Sequence, residues 1–157
     1  MNEETAERAV DVALQAPNKR LSFEFQGGEP LLNFPVVKRI VQYAEARKGD
    51  REIQYSLVSN GTLFTEEIVA FLKDYNVTVS TSLDGGRALH DLNRPRRSGA
   101  GSFDDVCRGI EILRDAGVSV GALLTATRAT LDYPEEIVET YCRLGFSNIF
   151  LRIKRIL

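Results

Sequence analysis

The sequence predicts an α/β fold: a curved sheet of parallel strands with helices outside it, an open or complete βα barrel of the TIM type. Three observations predict it. Segments of helical spacing alternate with strand-like segments in the order αβαβαβαβαβ, and such alternation implies crossover connections and a parallel sheet. The strands alternate apolar with polar residues instead of running apolar throughout, so helices cover only one face. The strand ends carry glycines and polar side chains, where βα folds place their ligands.

The elements follow from local patterns. Residues 3–16 place Ala6, Ala9, Val10, Ala13 and Leu14 at helical spacing, and Pro17 breaks that helix. Residues 21–25 form a strand, and residues 35–48 form a helix with Val36, Val37, Ile40, Val41 and Ala44 on one face, closed by Gly49. A strand over 52–59 ends in Asn60-Gly61. Thr65 caps the next helix, whose stripe is Ile68, Phe71, Leu72 and Tyr75. A strand over 77–83 ends in Asp84-Gly85-Gly86, and residues 87–101 are expected to be a long, basic, glycine-containing connection. Ser102 with Asp105 suggests a capping box opening a helix through Phe103, Val106, Cys107, Ile110 and Leu113. A strand over 118–127 follows, then a helix with Ile137, Val138, Tyr141 and Cys142 inward, then a strand over 148–153. No linker divides the chain, so residues 1–157 are expected to form one domain. These residues begin on a helix, so the usual first strand of such a series is not expected among them.

The polar face carries the functional argument. Ser22, Glu24 and Gln26 alternate with Leu21, Phe23 and Phe25; Gln54, Ser56, Val58 and Asn60 alternate with Ile53, Tyr55 and Leu57; Thr78, Ser80, Ser82 and Asp84 alternate with Val77, Val79, Thr81 and Leu83. The last strand sets Asn148, Arg152 and Lys154 against Ile149, Leu151 and Ile153 in the same way. Burying these groups without partners would cost on the order of 1–3 kcal/mol each, so they are expected to line a wet or ligand-filled cavity. At its rim lies Gln26-Gly27-Gly28-Glu29-Pro30. Paired glycines let backbone approach a ligand, and Pro30 holds Glu29 extended. An amine could sit beside that carboxylate. Taken alone these residues equally suit a solvated Gly-Gly turn, and the two other polar, glycine-containing strand ends favour a ligand site.

Composition narrows the partners. A formal charge of −2 gives no reason to expect nucleic acid or an anionic membrane. No apolar run approaches the ~20 residues that span a bilayer, and the acidic amino terminus is no signal peptide. A cytoplasmic location is expected. The two cysteines, Cys107 and Cys142, make no disulfide framework and too few metal ligands, so no metal site is expected. Both are read as core residues. His90 is the single histidine, which excludes a histidine-rich zinc site; its plainest role is to order the loop that carries Arg94, with acid–base work a distant second. A Gly-x4-Gly-Lys-Ser/Thr phosphate loop is absent.

Five segments together resemble the radical S-adenosylmethionine (SAM) superfamily, in particular its peptide- and protein-modifying branch, the anaerobic sulfatase-maturating enzymes and their SPASM-domain relatives. They are Phe25-Gln26-Gly27-Gly28-Glu29-Pro30-Leu31-Leu32, Ser59-Asn60-Gly61-Thr62-Leu63, Ser80-Thr81-Ser82-Leu83-Asp84-Gly85, His90-Asp91-Leu92-Asn93-Arg94 and Gly101-Ser102-Phe103-Asp104. The resemblance implies a partial (βα)6 TIM-like barrel, here without its first strand, and SAM as the cofactor. It implies that Gly27, Gly28 and Glu29, followed by Pro30, receive the cofactor's amino group. By the same resemblance Ser82 bonds the ribose, Arg94 pairs with the methionine carboxylate, and Asn60 faces cofactor or substrate. The residues near Ile153 would contact the adenine.

A departure accompanies the match. The family's [4Fe-4S] cluster is held by a Cys-x3-Cys-x2-Cys loop after the first strand, and thiolates are needed for it; these residues contain no such loop. The cluster is therefore expected in a full-length parent and not in this chain, which reads as a fragment, inactive alone, of an enzyme that modifies a peptide or protein through a SAM-derived radical. A cysteine-rich SPASM segment is likewise not found in these residues and is expected only in the parent. Two other readings stay open: a degenerate SAM- or peptide-binding module, and an ordinary βα-barrel enzyme acting on a small anion through Arg94 or Lys154. Taken alone, Arg94, Arg96 and Arg97 suit a solvated basic loop, and only the resemblance promotes Arg94. Without a first strand, residues 21–25 become a sheet edge, so self-association through that edge, or its cover by the amino-terminal segment, is expected.

Overall fold

The computed structural model describes residues 1–153. Five parallel strands stand in sequence order: β1 (Arg20–Phe25), β2 (Glu52–Ser59), β3 (Thr78–Ser82), β4 (Val120–Ala126) and β5 (Ile149–Ile153). The helices α1 (Glu3–Ala13), α2 (Phe34–Arg47), α3 (Glu66–Asp74), α4 (Arg87–Asn93), α5 (Phe103–Asp115) and α6 (Pro134–Arg143) complete the fold, with a 3-10 turn at Pro30–Asn33. Sequential parallel neighbours form a curled half-barrel, the expected partial TIM-like architecture.

The alternation in the sequence separates the two faces of the sheet. Tyr55, Leu57, Val79 and Ala122 are buried beneath helices, with Val37 and Val41 of α2, Leu72 of α3 and Ile110 of α5 packed in the same two apolar clusters. Ser22, Gln54, Ser56, Thr78 and Ser80 point the other way and stay wholly or partly exposed. Ser22, Gln54, Ser56 and Thr78 line a cleft of about 410 Å³ on this concave side. Asn2 and Thr65 cap α1 and α3 by accepting the N–H groups of Thr5 and Ile68.

Several expectations need correction. Residues 87–101 contain α4 and are not a plain loop. Only Leu89 and His90 of that seven-residue helix are buried, too few to show an apolar period. Ser102 makes no side-chain cap. Asp91 of α4 takes its place, its Oδ1 accepting the N–H groups of Ser102 at 2.8 Å and Phe103 at 2.9 Å. On α6 the inward face is Ile137, Thr140 and Tyr141; Val138 is 56% exposed and Cys142 is exposed. The one-residue shift in phase follows Tyr141, whose hydroxyl donates to the Leu83 carbonyl at the end of β3. Cys107 is half-buried and not a full core residue. The residues of β5 are exposed on both faces, apolar ones included, where the alternation predicted a covered side. Lys154 lies outside the described residues.

Candidate cofactor-binding site

The chain after β1 turns sharply. Gly27 has φ +156°, a conformation that side-chain-bearing residues rarely adopt, and nothing lies within 4 Å of where a Cβ would stand on Gly27 or Gly28. Glu29 follows in extended geometry before Pro30. Its Oε1 accepts the Leu31 N–H at 3.1 Å and the Ser59 hydroxyl at 3.1 Å, and its Oε2 accepts the Asn60 N–H at 2.6 Å. One carboxylate thus caps the 3-10 turn and fastens the end of β1 to the end of β2. Asn60 Oδ1 in turn accepts the Thr62 N–H and hydroxyl at 3.0 and 2.8 Å.

A second cluster forms at the ends of β3 and β4. Ser82, 8% exposed, closes β3, and Asp84 two residues on is 1% exposed. The Asp84 carboxylate accepts Arg94 Nε at 2.7 Å, Arg94 Nη2 at 3.3 Å and the Thr125 N–H at 2.8 Å. Arg94 Nη2 also donates to the Thr125 hydroxyl at 3.0 Å. Burial of a carboxylate is compensated here by a guanidinium and a main-chain donor together. His90, 0% exposed, lies behind this pair on α4, and burial pushes its pKa down.

The predicted site residues divide between two clefts joined by the Glu29–Asn60 contact. Gly27, Gly28, Glu29 and Pro30 line a larger one of about 530 Å³ beside the free edge of β1. Asn60 and Arg94 face a smaller one of about 220 Å³ together with Thr62 and Arg96. Ser82 lies within β3 and lines neither cleft. Arg152, which the alternation places on the concave side, is paired in register with Thr125. Sequence reasoning missed Thr125, because its contacts with Arg94 and Asp84 lie 31 and 41 residues apart and leave no local signal. It also missed the pairing of Asp84 with Arg94 ten residues on, which depends on the unforeseen helix α4 carrying Arg94 back over the end of β3.

A parallel half-barrel whose concave face is polar, and whose charged groups gather at the carboxyl ends of its strands, belongs to the barrels that bind small ligands at that rim. The chain belongs to the radical SAM superfamily, whose family description matches residues 1–141. It is 34% identical to an uncharacterized protein of Methanocaldococcus jannaschii over 95% of this chain and 51% of that protein. It is 34% identical to the radical SAM cyclopropyl synthase TigE of Paramaledivibacter caminithermalis over 81% of this chain and 26% of that protein. It is 31% identical to a cysteine-type anaerobic sulfatase-maturating enzyme of Clostridium perfringens over 93% of this chain and 40% of that protein. The structure of native anSMEcpe with bound AdoMet matches with a TM-score of 0.93 at 28% identity, over 98% of this chain and 42% of that one. Another structure of that protein holds AdoMet and the Kp18Cys peptide. The chain therefore spans about half or less of the relatives' own lengths.

The two cofactors of the superfamily fit these residues unequally. SAM carries an amine, a carboxylate and a ribose, and the rim offers a carboxylate, a guanidinium, an amide and a hydroxyl beside the open backbone of Gly27 and Gly28. An iron–sulfur cluster needs several thiolates. Cys107 sits on α5 and Cys142 on α6, and burial pushes the Cys107 thiol up, away from the thiolate form. Among the described residues no group of three or more His, Cys, Asp or Glu side chains is placed to hold a metal. The residues present do not fit a cluster. Among the described residues no helix is long and apolar enough to cross a membrane.

Proposed function

We propose that this chain is the SAM-binding portion of a radical SAM enzyme that modifies a peptide or protein substrate. The observation that carries the reading is the gathering of Glu29, Asn60, Asp84 and Arg94 at the strand ends of a barrel that matches an AdoMet-bound enzyme. Main-chain groups of Gly27 and Gly28, with the carboxylate of Glu29, are assigned to the amino group, and Pro30 holds that carboxylate in place. Ser82 is assigned to the ribose, Arg94 to the methionine carboxylate, and Asn60 to the cofactor's flank or the substrate. Nε and Nη2 of Arg94 are taken by Asp84 and Thr125, so the methionine carboxylate is met by Nη1. The cluster chemistry lies beyond these residues, and their part is to bind and orient. Alone they are expected to be inactive. The peptide bound in a related structure supports a peptide as the substrate class, and the polar concave face, with Ser56 and Ser80, is assigned as its side.

Arg94→Ala is expected to weaken SAM binding by about 1.5–3 kcal/mol, the range for a hydrogen bond to a charged group. Calorimetry on folded protein checks this, and unchanged affinity would remove Arg94 from the site. Stabilisation by inorganic phosphate in a thermal melt, with SAM inert, would instead favour a small-anion barrel.

The free edge of β1 bears on partners. Among the described residues β1 pairs only with β2, and Ala6 and Val10 of α1 line the cleft alongside it. Such an edge offers unpaired N–H and C=O groups, and a second copy of the same strand closes a two-fold contact. Self-association through residues 21–25 is therefore expected at high concentration. A monomer by light scattering, with fast amide exchange at those residues, would overturn it.

A further inference from the structure

We propose that His90 is a positioning residue: as a fixed Nε2–H imidazole it joins the main chain at Asp84 to the main chain at Arg94, and so sets where the Arg94 guanidinium stands. The directions of the hydrogen bonds require that tautomer. His90 Nδ1 accepts the Asp84 N–H at 3.3 Å, so Nδ1 carries no proton. The ring proton is then on Nε2, 3.0 Å from the Ser102 hydroxyl oxygen. Ser102 spends its own hydrogen on the Arg94 carbonyl at 2.8 Å. The Arg94 side chain returns to the Asp84 carboxylate at 2.7 Å and closes a ring of contacts.

That ring explains an otherwise unused buried imidazole. His90 is 0% exposed and meets Phe103 in a T-shaped contact with centroids 5.8 Å apart; its ring borders the cleft that Asn60 and Arg94 line, but both ring nitrogens are engaged within the protein. It acts through others. A flexible arginine at the end of a seven-residue helix would otherwise hold its guanidinium in several places. With Asp84 and Arg94 tied at both main chain and side chain, one placement remains, facing the cleft that Asn60 also lines. Protonation at Nδ1 would remove the acceptor for the Asp84 N–H. Burial opposes that protonation first and Arg94 adds to it, while Asp84 and Asp91 pull the other way; these are the charged groups facing the ring.

The placement of Arg94 can be read by NMR without any ligand. In the full chain labelled with 15N, the Arg94 Nε–H is expected to exchange slowly and the His90 ring to show the Nε2–H pattern. His90→Phe keeps an aromatic ring and loses both bonds. It should speed exchange of the Arg94 Nε–H at least about tenfold, with the β1–β2 amides unchanged. His90→Gln, which can still donate to Ser102, should recover part of that protection, and it serves if the Phe variant does not fold. Equal protection in wild type and both variants, or a proton on Nδ1, would overturn the proposal. The effect on the cofactor rests on the SAM reading and is measured separately. His90→Phe should weaken SAM binding several-fold in the wild type and not further in Arg94→Ala, whereas additive losses would overturn the proposal. Absence of SAM binding by wild type would remove the ligand reading, and the exchange rates would still decide what His90 does.

Discussion

Asp84→Ala is expected to lower the unfolding free energy by about 2–4 kcal/mol. Removing one partner of a buried ion pair costs about 3–5 kcal/mol, because the other charge is left uncompensated. Here the partner guanidinium is 29% exposed, so water takes up part of the loss and the range moves down. A second cost remains, since the main-chain N–H of Thr125 on β4 loses its acceptor. Asp84→Asn retains an acceptor oxygen for Thr125 and should cost roughly half as much. Adding Arg94→Ala to Asp84→Ala should recover part of the loss, because the unpaired cation is then gone. Urea unfolding at neutral pH checks all three variants. A change below about 1 kcal/mol in Asp84→Ala would show a solvated pair of the surface kind.

The fold was legible because its signals are local. Period-two alternation in residues 21–25, 52–59 and 77–83 separated the helix-covered face from the polar one, and the structure keeps that division, with Leu57 and Val79 buried and Ser56 and Ser80 facing away. The Thr65 cap was legible for the same reason. What escaped was set by partners distant in the chain. Asp91 caps α5 from the preceding helix, so Ser102 is free to hold His90 and Arg94, although its spacing to Asp105 suggested a capping box. Glu29 was assigned to a ligand's amine from a ten-residue stretch, and its three hydrogen bonds to Leu31, Ser59 and Asn60 give it a part in building the rim as well. The exposure of Val138 and the burial of Thr140 beside the inward Ile137 and Tyr141 show how a one-residue error in helical phase arises when an outward position is apolar and an inward one polar.

Gly109→Ala is the opposite of what helix propensity suggests. In the middle of a helix, replacing glycine by alanine ordinarily stabilises by about 0.8–1 kcal/mol. Gly109 lies in α5 where the helix crosses the turn after β2, and a Cβ there would fall inside the van der Waals envelope of the Gly61 carbonyl oxygen, with Phe64 Cδ2 only 3.1 Å away. Backbone cannot swing aside as a side chain can. Nor can the turn retreat, because Gly61 has φ +82° and itself rests against Thr81 of β3 and Val106 of α5. Overpacking of this kind costs about 1–3 kcal/mol, occasionally more, so the variant should be destabilised by up to about 2 kcal/mol after the gain in propensity. The displacement would reach the rim, since Asn60 precedes Gly61 and is held there by Glu29 at 2.6 Å. Gly109→Ala should therefore weaken SAM binding several-fold although residue 109 lines neither rim cleft. Thermal melts and calorimetry on the same variant check both halves. A rise in Tm would show that α5 can slide away from Gly61, and unchanged affinity with lowered Tm would separate the packing of this turn from the site.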